Sequence, residues 1–121
     1  MKKILVMDDT PSFGDLLLKM FAEFEVLRSQ DAAEGIRIAI EQKPDVILLG
    51  MAYARMSPVE ILRRLQLADE TTSIPVIMLT DKFFDARMQR VLQREPNVFA
   101  FLDKTTSVGL VIVQIQQILA G

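Results

Sequence analysis

The segment from Pro44 to Gly50 constrains the fold of this chain more than any other. After Asp45, four consecutive apolar residues run from Val46 to Leu49 and end at the glycine. A run this short, with no polar face, is too short for a helix and is typical of a strand that is buried on both faces. Such strands occupy the centre of a parallel sheet. The segment therefore predicts a central strand that ends where Gly50 stands.

Four other short apolar segments predict further strands of the same kind. The five predicted strands are Ile4–Met7, Glu25–Ser29, Asp45–Leu49, Pro75–Leu79 and Val98–Leu102. Most of them are bounded by proline, glycine or acidic residues, which mark the ends of strands. The pattern predicts a sheet of five strands.

Amphipathic segments with helix-start signals alternate with these strands. The first predicted helix follows Thr10-Pro11, and the second begins after Asp31, with Glu34 in the position of a capping box. The third begins at Ser57-Pro58 and directs Ile61, Leu62 and Leu65 inward. The fourth runs from about Phe84 to Arg94, and the fifth runs from the cap Thr105-Thr106-Ser107 to about Leu119.

Five strands that alternate with five helices predict an α/β fold with a parallel sheet covered on both faces. Because crossovers between parallel strands are right-handed, we expect a (βα)5 doubly wound sheet of the flavodoxin-like kind, with strand order 2-1-3-4-5. The 121 residues suit one domain, spanning residues 1–121. Five units are too few for an eight-fold barrel.

Composition excludes several classes of function. The net charge of −2 gives no reason to expect direct binding of nucleic acid. The chain has no cysteine and no histidine, which removes thiolate chemistry and the commonest general base and metal ligand. No apolar run approaches the length of a membrane span, so we expect a cytoplasmic protein. No nucleophile motif or glycine-rich phosphate loop is present, and we expect no ordinary enzyme.

Functional side chains follow the predicted strands at their carboxyl ends, which is where ligands bind in open α/β sheets. They are Asp8, Asp9, Gly50, Thr80, Asp81 and Lys104. Carboxylates, a hydroxyl and a lysine at one edge would suit phosphoryl chemistry with Mg²⁺, because oxygen ligands hold the metal and the other groups bind phosphoryl oxygens. The alternative is that charged residues merely gather where strands meet solvent.

Four of these segments carry a family resemblance. The runs Ile4-Leu-Val-Met-Asp-Asp9, Pro44-Asp-Val-Ile-Leu-Leu49, Ile74-Pro-Val-Ile-Met-Leu-Thr80 and Phe101-Leu-Asp-Lys104 resemble the receiver domain of two-component response regulators, the CheY-like superfamily. The resemblance covers the whole chain. It implies bacterial signalling in which a histidine kinase phosphorylates an aspartate at the end of strand 3, with Mg²⁺ held by that aspartate and the acidic pair.

Residue by residue, the resemblance assigns the acidic pair to Asp8 and Asp9, the switch hydroxyl to Thr80 and the phosphate-contacting lysine to Lys104. Phe101 matches the aromatic residue that follows the threonine between two rotamers.

The phospho-acceptor position is occupied by Gly50, which has no side chain. No acyl phosphate can form there, and the resemblance therefore implies an atypical receiver, or pseudo-receiver. One magnesium ligand is lost with the aspartate, so we expect no required cofactor and at most weak Mg²⁺ binding at Asp8 and Asp9.

Two other positions depart from the family pattern. Asp81 stands where the family has a small residue, and there it would repel phosphate or turn toward Lys104. The plainer interpretation makes Asp81 the N-cap of the fourth helix. Thr105 replaces the proline that usually follows the lysine, and we expect a trans peptide bond there.

A surface for a protein partner is predicted on the fourth helix, the fifth strand and the fifth helix. The fifth helix is apolar nearly all round, since Leu110 and Val113 fall outside its inward stripe. The fourth helix has a basic face with aromatic residues at its start. The predicted interface residues are Phe83, Phe84, Arg87, Arg90, Arg94, Leu110 and Val113.

Three functions remain open at this point. We favour a phosphorylation-independent interaction module that acts as a homodimer or within a larger multidomain protein. A second interpretation is a phosphorylatable receiver that uses Asp8, Asp9 or Asp81 with Mg²⁺. A third is a domain that binds a small ligand in the pocket vacated at Gly50.

Overall fold

A parallel five-stranded sheet with helices along both faces forms the fold. The computed structural model describes residues 2–8, 19, 24–29, 31–50, 56–80, 85–103 and 108–120. The strands are β1 (Lys3–Met7), β2 (Glu25–Ser29), β3 (Val46–Gly50), β4 (Val76–Thr80) and β5 (Val98–Asp103). The helices are α1 (Ala32–Gln42), α2 (Pro58–Leu67), α3 (Ala86–Leu92) and α4 (Val108–Ala120). These four correspond to the second to fifth predicted helices.

All strands are parallel and their order is β2-β1-β3-β4-β5. This confirms the predicted fold class and strand order. All five residues of β3 are buried, which confirms the prediction from the segment before Gly50. The strands β3 and β4 each begin and end one residue later than predicted, because ladder pairing continues to Gly50 and to Thr80. Gly50 is thus part of the sheet itself.

Two predicted helix starts are confirmed by their capping hydrogen bonds. The Asp31 carboxylate accepts the backbone N–H of Glu34 at 2.8 Å, and the Ser57 hydroxyl accepts that of Glu60 at 3.2 Å. Each bond satisfies a donor that has no partner within the helix. At its other end, α1 stops at Lys43, which adopts a left-handed conformation with φ of 50°. Pro44 follows at once and cannot continue the helix.

The fourth predicted helix is shorter in the structure and begins at a different residue. The N-cap of α3 is Asp85, whose carboxylate accepts the backbone N–H of Arg87 at 2.7 Å. The interpretation of Asp81 as this N-cap is therefore wrong, because the helix begins one turn later. The first predicted helix and the cap at residues 105–107 lie outside the described residues, except for Lys19, which is helical and exposed.

Alternate residues of the strands feed two hydrophobic clusters, one on each face of the sheet. The larger cluster packs against α1, α2 and α3, and its strand residues are Leu5, Met7, Ile47, Leu49, Val76 and Met78. The smaller cluster includes Ile115 of α4, and its strand residues are Ile4, Val6, Val46, Leu48, Ile77 and Leu79. The two clusters hold α3 and α4 on opposite faces of the sheet, with the edge strand β5 between them.

An irregularity in the β4–β5 pairing exposes one aromatic side chain. Val76 pairs with Val98, but Ile77 pairs with Ala100, so Phe99 is an extra residue in β5. This bulge places Val98 and Phe101 against the same cluster although they are three residues apart. The ring of Phe99 is left 54% exposed at the edge of the sheet.

The close approach of α1 to the sheet depends on Gly35. An added Cβ would lie 2.6 Å from Cε of Met7 and 2.7 Å from Oγ of Ser29. Both neighbours are buried. Since a packed interior has little free volume into which they can move, a side chain at position 35 would force the helix away from the sheet.

We predict that Gly35→Ala destabilises the protein. Overpacking of a core typically costs about 1–3 kcal/mol, and this exceeds the roughly 1 kcal/mol that alanine gains over glycine in a helix. The free energy of unfolding, measured by urea denaturation, should therefore fall. The control is Gly109→Ala, at an exposed position of α4, which should leave stability unchanged or raise it by up to about 1 kcal/mol. Similar changes in both variants would contradict the packing argument.

Candidate functional site

The parallel pairing brings the carboxyl ends of β1, β3, β4 and β5 to one edge of the sheet. Met7 pairs with Leu49, and Gly50 pairs with Leu79. Thr80 follows and pairs with Asp103. Asp8 is the residue directly after β1, so the structure gathers Asp8, Gly50 and Thr80 as the sequence predicts. Asp9, Asp81 and Lys104 lie outside the described residues.

At Gly50, to which the resemblance assigns the phospho-acceptor position, the carboxylate of Asp8 fills the space that a side chain would need. A Cβ added to Gly50 would lie 2.7 Å from Oδ1 of Asp8 and 3.1 Å from its Cγ. Gly50 has no positive φ, so its backbone conformation does not require glycine. The atoms closest to such a Cβ are those of the Asp8 side chain, so a larger residue would displace the Asp8 carboxylate from its present position.

Thr80 has a buried hydroxyl that is bonded to the neighbouring strand. Thr80 as a whole is 6% exposed, and its Oγ1 donates a long hydrogen bond of 3.4 Å to the carbonyl oxygen of Leu102. The bond ties the end of β4 to β5. The hydroxyl thus has a protein partner in β5.

Phe101 packs into the protein. It pairs with Met78 in the β4–β5 ladder, and its partly buried side chain packs against the larger cluster. The inward-facing ring contrasts with Phe99, two residues earlier, which is mostly exposed. Thr80 and Phe101, the two residues to which the resemblance assigns the switch, thus both contact other parts of the protein.

The described residues do not supply the magnesium site that the family resemblance implies. No group of three acidic, histidine or cysteine side chains gathers within the described part of the chain. Gly50 offers no side-chain ligand, and the Asp8 carboxylate is directed over it. One carboxylate alone is a poor site for an ion that needs octahedral oxygen coordination. Weak binding that involves Asp9 stays a prediction.

Asp103 is a site-edge residue to which the sequence assigned no role. It pairs with Thr80 and lies at the same edge as Asp8 and Gly50. The predicted strand ended at Leu102, one residue too early, and so placed Asp103 in a loop. Asp103 stands directly before Lys104 in the motif that carried the resemblance, and this position was the sequence signal that could have placed it at the site.

The predicted interface residues that the structure describes are exposed. Leu110 is 58% exposed and Val113 is 47% exposed, and the side chains of Arg87, Arg90 and Arg94 lie in solvent as predicted. Phe83 and Phe84 lie outside the described residues.

Three further exposed apolar residues, Met88, Val91 and Phe99, were missed. The spacing of Met88 and Val91, one turn apart beside the arginines, was a readable signal, whereas the bulge that exposes Phe99 was not.

None of the helices in the described ranges combines the length and the apolar character that crossing a membrane would need.

Comparison with known proteins places this chain in a family. The model of the response regulator receiver domain matches residues 4–116. The chain is 28% identical to the protein PilH of Pseudomonas aeruginosa, with all of both chains covered. It is 30% identical to the alkaline phosphatase synthesis transcriptional regulatory protein PhoP of Bacillus subtilis over 98% of this chain, which spans only 48% of that relative.

Solved structures agree on the fold. A response regulator from Desulfuromonas acetoxidans superposes with a TM-score of 0.84 at 19% identity, and the match covers 99% of this chain and 98% of the other. The family match over most of the chain agrees with the strand order and with the residues gathered at the sheet edge. The chain belongs to the response regulator receiver domain family.

Proposed function

We propose that this receiver domain works by phosphorylation-independent binding of a protein partner. One observation carries the proposal: the acceptor position is a glycine, and the carboxylate of Asp8 occupies the space beside it. Phosphorylation of a receiver needs a carboxylate at that position to form an acyl phosphate. Gly50 has none, and the position has no room for a side chain while Asp8 keeps its conformation.

The switch residues support a domain that presents one fixed surface. The Thr80 hydroxyl is bonded to the backbone of β5, and the ring of Phe101 packs inward. Through both contacts, β5 is held against the rest of the protein. A binding module that does not switch needs one such stable arrangement.

The exposed apolar side chains indicate where the partner binds. Soluble monomers seldom leave several large apolar residues exposed side by side unless the surface has a binding role. In the described part of the chain these residues concentrate on α3, β5 and α4. We therefore place the partner-binding surface there, and we assign no catalytic reaction to the domain.

A second candidate function is phosphorylation of Asp8 itself. Of the three alternative aspartates, Asp8 is the one that the structure describes, and its Cγ lies 3.1 Å from the place where the acceptor Cβ would be. The carboxylate therefore occupies nearly the position of the missing acceptor. We favour the binding module because the position of the Asp8 carboxylate is equally explained if Asp8 only fills the space beside Gly50 and is never phosphorylated.

We predict that acetyl phosphate with Mg²⁺ adds no phosphoryl group to the protein. Intact-mass spectrometry reads the outcome directly, and NMR spectra of labelled protein should show no shifts at Gly50 or Thr80 on addition of beryllofluoride. A relative that retains the acceptor aspartate is the positive control. A phosphoryl adduct that disappears in the variant Asp8→Asn would overturn the proposal and establish the second candidate.

We also predict that positions 8 and 50 are energetically coupled. In the Asp8→Ala background, the nearest atom to a Cβ added at Gly50 is the Cβ of residue 8. Their distance of 3.4 Å is an ordinary van der Waals contact. There Gly50→Ala should raise the free energy of unfolding by about 0.4–1 kcal/mol, since the alanine restricts the unfolded chain. In the wild-type background it should be neutral or destabilising, with a coupling energy of roughly 0.5–2 kcal/mol in the double-mutant cycle.

Urea denaturation of the four proteins in this cycle measures the coupling. Equal effects of Gly50→Ala in the two backgrounds would show that Asp8 does not occupy the acceptor space.

A further inference from the structure

We propose that a polar latch between α2 and the start of β5 holds this edge strand in its bulged register. The latch consists of Arg63, Gln66, Glu95 and Asn97. Release of the latch lets the start of β5 slide by one residue, which carries the ring of Phe99 from the surface into the larger hydrophobic cluster. This conformational device goes beyond the proposed function, since it lies at the amino ends of the strands and not at the edge that holds the site.

Asn97 is the centre of the latch. It is buried, with 6% of its surface exposed. Its Nδ2 donates to the carbonyl oxygen of Leu62 in α2 at 3.1 Å, and its Oδ1 accepts from Nε2 of Gln66 at 2.8 Å. Its backbone carbonyl accepts the N–H of Val76 at 2.8 Å. Asn97 therefore joins α2 to the point where the β4–β5 ladder begins.

Glu95 gives the turn before β5 a second attachment to α2. Its Oε1 accepts hydrogen bonds from Nε2 of Gln66 at 3.2 Å and from Nε of Arg63 at 3.3 Å. The side chain of Glu95 is 11% exposed, whereas that of Arg63 is 67% exposed. Because an ion pair with an exposed partner contributes little, the contacts of Gln66 and Asn97 carry most of the latch.

The other end of β5 is anchored separately, at the edge of the sheet that holds the site. Phe101 pairs with Met78 and packs against the larger cluster. The carbonyl oxygen of Leu102 accepts the hydrogen bond from the Thr80 hydroxyl. The strand is thus held at both of its ends, by the latch and by these contacts.

The bulge at Phe99 lies between the two anchors. Val76 pairs with Val98, while the next residue of β4, Ile77, pairs with Ala100. The segment of β5 between the anchors therefore contains one residue more than the segment of β4 that faces it. Phe99 is this extra residue, and its ring is 54% exposed.

A regular ladder is the alternative arrangement of this strand. If the start of β5 slid toward the latch by one residue, Phe99 would pair with Val76, and the pairs from Ala100 onward would stay as they are. Paired residues lie on the same face of a sheet, and Val76 belongs to the larger cluster. The slide would therefore bury the ring of Phe99, and burial of an aromatic ring is favourable.

The latch opposes this slide. One residue of a strand rises by about 3.3 Å, so the slide would move Asn97 out of hydrogen-bonding distance of α2. Its buried amide and the side chain of Gln66 would lose their partners, and unpaired buried polar groups are costly. The latch and the exposed ring thus act against each other, and the observed register is the one in which the latch is closed.

The test follows the ring of Phe99 by NMR in isotope-labelled protein. In the wild type, its ring should give no nuclear Overhauser contact to the methyl groups of Val76. In the variants Asn97→Ala and Gln66→Met, we expect a second state in which this contact is present. Its population, measured by saturation transfer, should rise about tenfold or more over the wild type, since each variant removes hydrogen bonds of the latch.

Thr71→Val is the matched control. The Thr71 hydroxyl is buried and donates to the carbonyl oxygen of Leu65, so this variant also costs α2 a buried hydrogen bond. That bond lies between α2 and the turn that follows it. The control should therefore lower the free energy of unfolding as the latch variants do, but it should leave the ring of Phe99 exposed.

Three results would overturn the proposal. The first is a loss of stability in the latch variants without the contact between Phe99 and Val76, and the second is that contact in Thr71→Val. The third is persistence of the slid register in Asn97→Ala/Phe99→Ser, because serine gains nothing from burial and the bulged register should return. Gln66→Met decides the outcome if Asn97→Ala does not fold, since Gln66 is only partly buried on the surface of α2.

Discussion

The burial of β3 on both of its faces is the constraint on which the rest of the structure depends. The strand pairs with β1 on one side and β4 on the other, and both hydrophobic clusters draw residues from it. A strand in this position must be apolar along its whole length. It also fixes the register of its neighbours, so that Asp8, Gly50 and Thr80 reach the same edge. The chemistry of the site is therefore decided by whatever residue ends this strand.

The sequence allowed most of the fold to be predicted because local and long-range signals agree. The apolar runs indicate the strands. The N-caps at Asp31 and Ser57 are unambiguous, because Glu34 follows the first and both Pro58 and Glu60 follow the second. The fourth predicted helix, from about Phe84 to Arg94, contains the observed helix, but its N-cap is Asp85 rather than Asp81. Both aspartates are good N-caps by residue type, so the sequence alone does not choose between them. The bulge at Phe99 was equally unreadable, since it arises from the pairing of two strands rather than from either alone.

The site was predicted in part, and the missing part is geometric. The glycine at position 50 can be read directly from the sequence, and the proximity of Asp8 follows once the strand order is known. The sequence does not reveal that the Asp8 carboxylate enters the vacant space, because that depends on a side-chain rotamer. The distinction matters for function. An empty pocket beside Gly50 would suggest a small ligand, whereas the Asp8 carboxylate in that space argues against one.

A receiver without an acceptor, as we propose for this chain, places different demands on the surface near β5. In a switching receiver, the surface near β5 has to be stable in two arrangements, and its contacts cannot be optimised for one. Here the Thr80 hydroxyl and the Phe101 ring already have protein partners. The exposed side chains of α3 are a further feature of the described part of the fold, because a helix with one buried residue gains little from the core. A partner that buries Met88 and Val91 would stabilise α3 directly, because those side chains are exposed in the domain alone.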